Sequence, residues 1–255
     1  MPPDDDSGME NTARPVVDSQ CLWQDRWSAL SCTEHTLKWG KTRMDKPAIL
    51  VMARRHLSRR DPRLGDLIAA IGPCTLRYEP DRFAALVRSI VSQQISTKAA
   101  AAIHARLQEA VGAGGVSAAR ILELSDEQLR GAGLSINKML ALRDLATKVH
   151  QQEVLLAQIH DLEDEEVIRH LVPVRGIGRW TAEMFLIFSL GRLDILPVDD
   201  LGLRMAAKRI YGLRKVPEKA RLTKLAEPWR PFRSVATWYL WRSLGFVPQS
   251  GLKVK

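Results

Sequence analysis

Two short stretches of this 255-residue chain hold residues suited to chemistry on or near an anion. The first is Leu171-Val172-Pro173-Val174-Arg175-Gly176-Ile177-Gly178-Arg179-Trp180-Thr181-Ala182-Glu183. An apolar helix runs into Gly176-Ile177-Gly178 and a second helix begins at once. The two glycines permit a turn with positive φ, and without a Cβ they let a phosphate come close to the backbone. The first amides of the new helix lack internal partners and lie at the positive end of its dipole. Together these features make an anion site, with Arg179 adding charge beside it. An ordinary tight connection between two helices would use the same glycines. The second stretch is Pro197-Val198-Asp199-Asp200-Leu201. Pro197 stiffens the approach to two adjacent carboxylates, either of which can cap the helix that follows. Capping alone would account for both. Trp238, Trp241 and Arg242 form a third group, brought together by helical spacing. An indole face attracts a cation, although most buried tryptophans simply fill a core.

The elements that must carry these residues read as helices. Leu64, Leu67, Ile68 and Ile71 fall at i, i+3, i+4 and i+7, and Gly72-Pro73 ends that helix. Phe83, Leu86, Val87, Ile90 and Val91 repeat the pattern behind a capping Asp81. An Ala-rich helix follows over 97–111. Shorter ones are expected over 117–122 and 125–130, the latter opening with a capping box, Ser125 to Gln128. Further helices are expected over 137–150, 164–172, 180–190, 203–210 and 232–244. Only Thr75–Tyr78 resembles a strand. The expected fold is all-α, with about ten helices and no internal repeat.

Bulk composition fits. The chain has 38 Lys and Arg against 29 Asp and Glu, a net charge of +9, and Asp4, Asp5, Asp6 and Glu10 crowd the N-terminus. The remaining body is more basic still, which favours a polyanionic partner. No apolar run is long enough to span a membrane. The acidic N-terminus is not a secretory signal, and residues 1–45 read as a disordered or loosely packed tail before a domain over 46–255. Cys21, Cys32 and Cys74 form no CxxC pair, so neither zinc nor a Cys-ligated iron–sulfur cluster is expected. A cytoplasmic monomer is the default, associated with the nucleoid if the chain is bacterial.

Over roughly residues 46–248 the chain resembles the helix-hairpin-helix DNA glycosylase superfamily, in its 3-methyladenine DNA glycosylase II (alkylpurine) branch. The resemblance implies a two-lobed helical bundle with a cleft between the lobes, acting on double-stranded DNA that contains damaged bases. It assigns Arg175, Gly176, Ile177, Gly178 and Thr181 to the DNA backbone. It also implies a monovalent cation at the hairpin carbonyls of Val174 and Gly176, and no organic cofactor. The superfamily's essential Asp follows the hairpin by about twenty residues. In this branch it is the second of two adjacent acids, which is Asp200 rather than Asp199. A carboxylate there would stabilise the positive charge that develops on deoxyribose as the N-glycosidic bond breaks, and could orient the attacking water.

Bifunctional relatives carry a Lys where this chain has Trp180, so the resemblance implies hydrolysis without Schiff-base chemistry or strand cleavage. Ser92-Gln93-Gln94-Ile95-Ser96 is similar to the branch's loop that fills the space left by a flipped base, with Gln93 and Gln94 as the DNA-contacting pair. Trp180, Met184 and Trp241 match positions lining the base pocket, while Trp238 reads as core. Met184 stands where some relatives have an aromatic residue. Gly131–Lys138 matches a turn that either contacts backbone phosphate or is structural. A binding protein without chemistry, or a glycosylase for another lesion class, would share most of these features.

Overall fold

The computed structural model describes residues 37–39, 42–44 and 46–245. Twelve α-helices account for most of them: α1 Lys46–Arg60, α2 Pro62–Ile71, α3 Arg82–Ser92, α4 Thr97–Val111, α5 Ala118–Glu123, α6 Asp126–Gly131, α7 Ile136–His150, α8 Asp164–Leu171, α9 Arg179–Phe188, α10 Leu201–Ile210, α11 Lys219–Leu225 and α12 Arg233–Gly245. Short 3₁₀ turns occupy Gly112–Gly114, Ile159–Asp161 and Glu227–Trp229. None of the helices is long and apolar enough to cross a membrane.

The helix ends obey local rules. Asp81, Ser96, Ser117, Ser125 and Ser135 each accept a backbone N–H from the first turn of their helix, and Ser125 with Gln128 forms the expected capping box. Two helices escape the sequence reading. In α1 the buried residues Ile49, Leu50, Ala53 and Leu57 face inward, but exposed Val51 and Met52 blur their period. The other is α11, only seven residues long. Thr75–Tyr78 is not a strand. Instead Leu37–Trp39 and Thr42–Met44 pair antiparallel, Leu37 opposite Met44, inside the segment read as tail. The rest of residues 1–36, including Cys21 and Cys32, lies outside the described residues.

The helices pack as two groups. Helices α1, α2, α10, α11 and α12, with the Glu227–Trp229 turn, form one lobe from both ends of the described chain. Helices α3 to α9 form the other. Between them one contiguous apolar core is shared, including Leu86, Ile90, Phe185, Phe188, Leu203, Trp229 and Tyr239. Burying a core of this size is the main stabilising term. Asp61 fastens the first lobe. Its buried carboxylate caps α2 through Leu64 N and accepts Tyr211 Oη at 2.5 Å and Trp229 Nε1 at 2.9 Å.

Candidate active site

The loop from α9 to α10 is held on the start of α12. Ser234 Oγ accepts Ile195 N at 2.9 Å and donates to Arg192 O at 2.7 Å, while Arg233 Nε donates to Asp194 Oδ1 at 2.8 Å. A short turn, Asp200 N to Pro197 O at 3.0 Å, then delivers Asp200 as the N-cap of α10. Its carboxylate is 1% exposed and sits where the lobes meet. Oδ1 accepts Leu203 N at 2.5 Å and Trp241 Nε1 at 2.9 Å, and Oδ2 accepts Trp180 Nε1 at 2.8 Å. Three N–H groups from three helices thus solvate this anion in place of water. Asp199 points elsewhere, to the ammonium of Lys219. Of the two adjacent acids, Asp200 is the one hydrogen-bonded to the hairpin's helix.

Capping with two aromatic donors is not by itself a mark of chemistry, since Asp61 has the same kind of shell. What sets Asp200 apart is its neighbour. Trp180 is the second residue of the helix that opens at the hairpin, so the Asp200 carboxylate is hydrogen-bonded directly to the hairpin's helix.

The hairpin has the expected turn. Gly176 has φ +78°, and a Cβ there would meet the Ala141 Cβ at 3.2 Å. Gly178 has φ −91° and open space where a Cβ would point. The first internal bond of α9 is Ala182 N to Gly178 O at 3.1 Å, so the amides of residues 178–181 precede it. Ile177 N is spent on Val174 O at 3.0 Å, and Arg175 N on Asp144 Oδ2 at 2.7 Å. Ile177 and Thr181 are buried and Arg175 is exposed, so Thr181 can reach a phosphate only through its backbone, and Ile177, its amide already used, offers no donor. Arg179 is not a spare cation. Its guanidinium is held by Glu165 and, at 3.2 Å, by Glu183.

The loop after α3 is tied to the hairpin. Gln93 Nε2 donates to Gly176 O at 2.8 Å, and Lys138 Nζ donates to Val91 O and Gln93 O at 2.7 and 2.8 Å. Gln94, exposed at the tip, has φ +54°, a conformation that costs a non-glycine residue of order 1–2 kcal/mol. Sequence reasoning named Gln93, Gln94 and Lys138 but found none of these bonds. It missed Asp144 and Glu165 and gave Glu183 no role, because nothing local distinguishes them from solvated acids.

Among the residues matched to a base pocket, Met184 is 1% and Trp241 6% exposed. Trp241 stacks on Phe188 with ring centroids 6.0 Å apart. Trp180 is the partly exposed one. Trp238 is buried, with Arg242 5.6 Å over its ring. Two hollows of about 570 and 350 Å³ border α1 around Arg55 and Arg59 and contain none of these residues. No group of three or more His, Cys, Asp or Glu side chains among the described residues could hold a metal.

The HhH-GPD superfamily of base excision DNA repair proteins matches residues 87–231, a span running from within α3 past the hairpin and Asp200. The chain belongs to this superfamily. DNA-3-methyladenine glycosylase 1 of Schizosaccharomyces pombe is 34% identical over 203 residues, covering 76% of this chain and 87% of that protein. The alkylbase DNA glycosidase-like protein mag2 of the same yeast is 33% identical over 204 residues, 78% of this chain and 96% of its own. Among solved structures, S. pombe 3-methyladenine DNA glycosylase (Mag1) in complex with abasic DNA superposes with a TM-score of 0.70 at 33% identity, over 77% of this chain and 98% of that one.

Proposed function

We propose that the protein is a monofunctional DNA glycosylase that hydrolyses the N-glycosidic bond of alkylated purines, of the 3-methyladenine type, flipped out of duplex DNA. The observation that carries this reading is the Asp200 carboxylate, shielded from water at the lobe junction and hydrogen-bonded to the helix that the hairpin opens. A fixed anion in a site of low dielectric stabilises an oxocarbenium-like sugar far better than the same group in water. The leaving base already carries positive charge when alkylated, so little acid assistance to it is needed. Amides of residues 178–181 receive a backbone phosphate, and the exposed, strained Gln94 fills the gap in the stack. Trp180 presents its ring to the cationic base. The relatives' names, as 3-methyladenine DNA glycosylases, support this substrate class.

The carbonyls of Val174 and Gly176 each accept one hydrogen bond, from Ile177 N and Gln93 Nε2, which leaves a lone pair apiece for a monovalent cation. Such a cation would add positive charge next to the phosphate. The unit carrying the activity is residues 46–255, acting as a monomer on double-stranded DNA where the chromosome is, which in a bacterium is the nucleoid in the cytoplasm.

The test is release of 3-methyladenine from methylated duplex DNA by the wild type and by Asp200→Asn. Release by the wild type with loss in the variant is expected; release by neither would leave a DNA-binding protein without chemistry. Because Trp180 holds no amine, borohydride should trap no enzyme–DNA adduct. A trapped adduct would overturn the monofunctional assignment.

A further inference from the structure

Arg179 is the first residue of α9, a place where the helix dipole disfavours a cation and favours an acid. In the free protein two carboxylates compensate it. Glu165 of α8 takes two guanidinium N–H groups, one of them Nη1 at 3.0 Å from Oε2. Glu183, one turn further along α9, accepts Arg179 Nε at 3.2 Å through Oε1. Glu165 is exposed, whereas Glu183 is 4% exposed, and its Oε2 is fully shielded with no hydrogen-bond partner. Such an oxygen is costly to keep charged. The charged groups facing Glu183 are Arg179 on its own helix, Glu165 from α8 and Asp199 from the loop before α10. Lys219 of α11 is engaged by Asp199. Arg179 is therefore what sustains a negative charge at Glu183.

We propose that Glu183 is a positioning residue that parks Arg179 at the hairpin and, when a DNA phosphate takes Arg179 over, completes its protonation from solvent. The inference rests on reading the hairpin as a DNA-backbone site. One hydrogen bond breaks, Arg179 Nε to Glu183 Oε1, one forms to a phosphate oxygen, and the proton comes from solvent. Burial has already pushed the Glu183 carboxyl up to about 7, against the opposing pull of Arg179. Losing that cation and gaining a nearby phosphate both favour the neutral acid further. Because the complex then binds more protons than the free protein, affinity must fall as pH rises through and above 7.

The experiment compares wild type, Glu183→Gln and Glu165→Gln. It measures their affinity for a duplex with a stable abasic analogue from pH 6 to 9 at fixed ionic strength. Calorimetry in two buffers of different ionisation heat counts protons taken up. Wild-type affinity should fall by about tenfold more than that of Glu183→Gln for each unit by which the carboxyl shifts. Proton uptake should vanish in Glu183→Gln and persist in Glu165→Gln. Arg179→Met, which removes the partner rather than the acid, should also lose the extra pH dependence. Parallel pH curves and buffer-independent heats for wild type and Glu183→Gln overturn the proposal. Gly178→Ala in the same assay tests the hairpin reading separately, since wild-type affinity there would refute phosphate contact whatever the pH curves show.

Discussion

Trp180 Nε1 and Asp200 Oδ2 lie 2.8 Å apart although one residue belongs to the lobe of α3–α9 and the other begins α10 in the opposite lobe. This bond couples the hairpin turn to the carboxylate, so a change in the seating of one lobe on the other moves both. Trp241 Nε1 completes the clamp from α12. The indoles thus serve as donors to the carboxylate, a role that the sequence analysis, concerned with their faces, did not assign.

Removing the Trp180 donor while keeping an aromatic ring should slow the chemistry. In Trp180→Phe, a hydrogen bond to a charged group is lost, a change of about 1.5–3 kcal/mol. Base release under single-turnover conditions should drop roughly ten- to a hundredfold. If the ring face alone matters, the rate will match that of the wild type.

The two buried aspartates should separate stability from catalysis. Asp61→Ala leaves Leu64 N, Tyr211 Oη and Trp229 Nε1 without their acceptor, and should cost about 3 kcal/mol or more. The folded fraction should still release base at the wild-type rate. Asp200→Asn should abolish release in protein that remains folded, as judged by circular dichroism. Equal loss of activity per folded molecule in both would mean that Asp200 is structural.

The two hairpin glycines should differ. Gly176→Ala forces an L residue to φ +78° with Ala141 3.2 Å away, and should lower stability by about 1–2 kcal/mol. Gly178→Ala meets nothing within 4 Å and has an ordinary φ, so its melting temperature should hold while duplex affinity falls. Thermal melts alongside binding isotherms make the comparison.

Gln94 should show a trade between stability and activity. Gln94→Gly relieves the positive φ and should raise stability by up to about 1 kcal/mol. It also removes the side chain that would occupy the vacated stack, so base release should fall. Unchanged release would remove Gln94 from the flipping step.

Stability itself should carry the signature of Glu183. Its folded-state carboxyl is raised to about 7, above the ordinary Glu value, chiefly by burial. The stability this group contributes is complete below the ordinary Glu range and is lost as pH rises through 7. Glu183→Gln should therefore gain in melting temperature relative to wild type between pH 5 and 9. A constant difference across that range would show that Glu183 does not titrate there.

Much of this protein is legible in the chain alone, because the signals are local. The caps at Asp81 and Ser125 and the glycines of the turn each depend on a few neighbouring residues. Periodicity recovers the helices with one clean apolar face and fails at α1, where exposed Val51 and Met52 interrupt it.

Tertiary structure decided the rest. Asp199 and Asp200 are adjacent in sequence, yet the fold sets Asp200 against two indoles and Asp199 against Lys219. Arg179 reads as a free cation in sequence, yet Glu165, fourteen positions earlier, neutralises it. Gln93 and Gly176 are 83 positions apart and meet at 2.8 Å. Sequence order specifies which backbone groups a residue can cap, since those lie within one turn. It does not specify which side chains desolvate a carboxylate, because that depends on how two lobes close on a shared core.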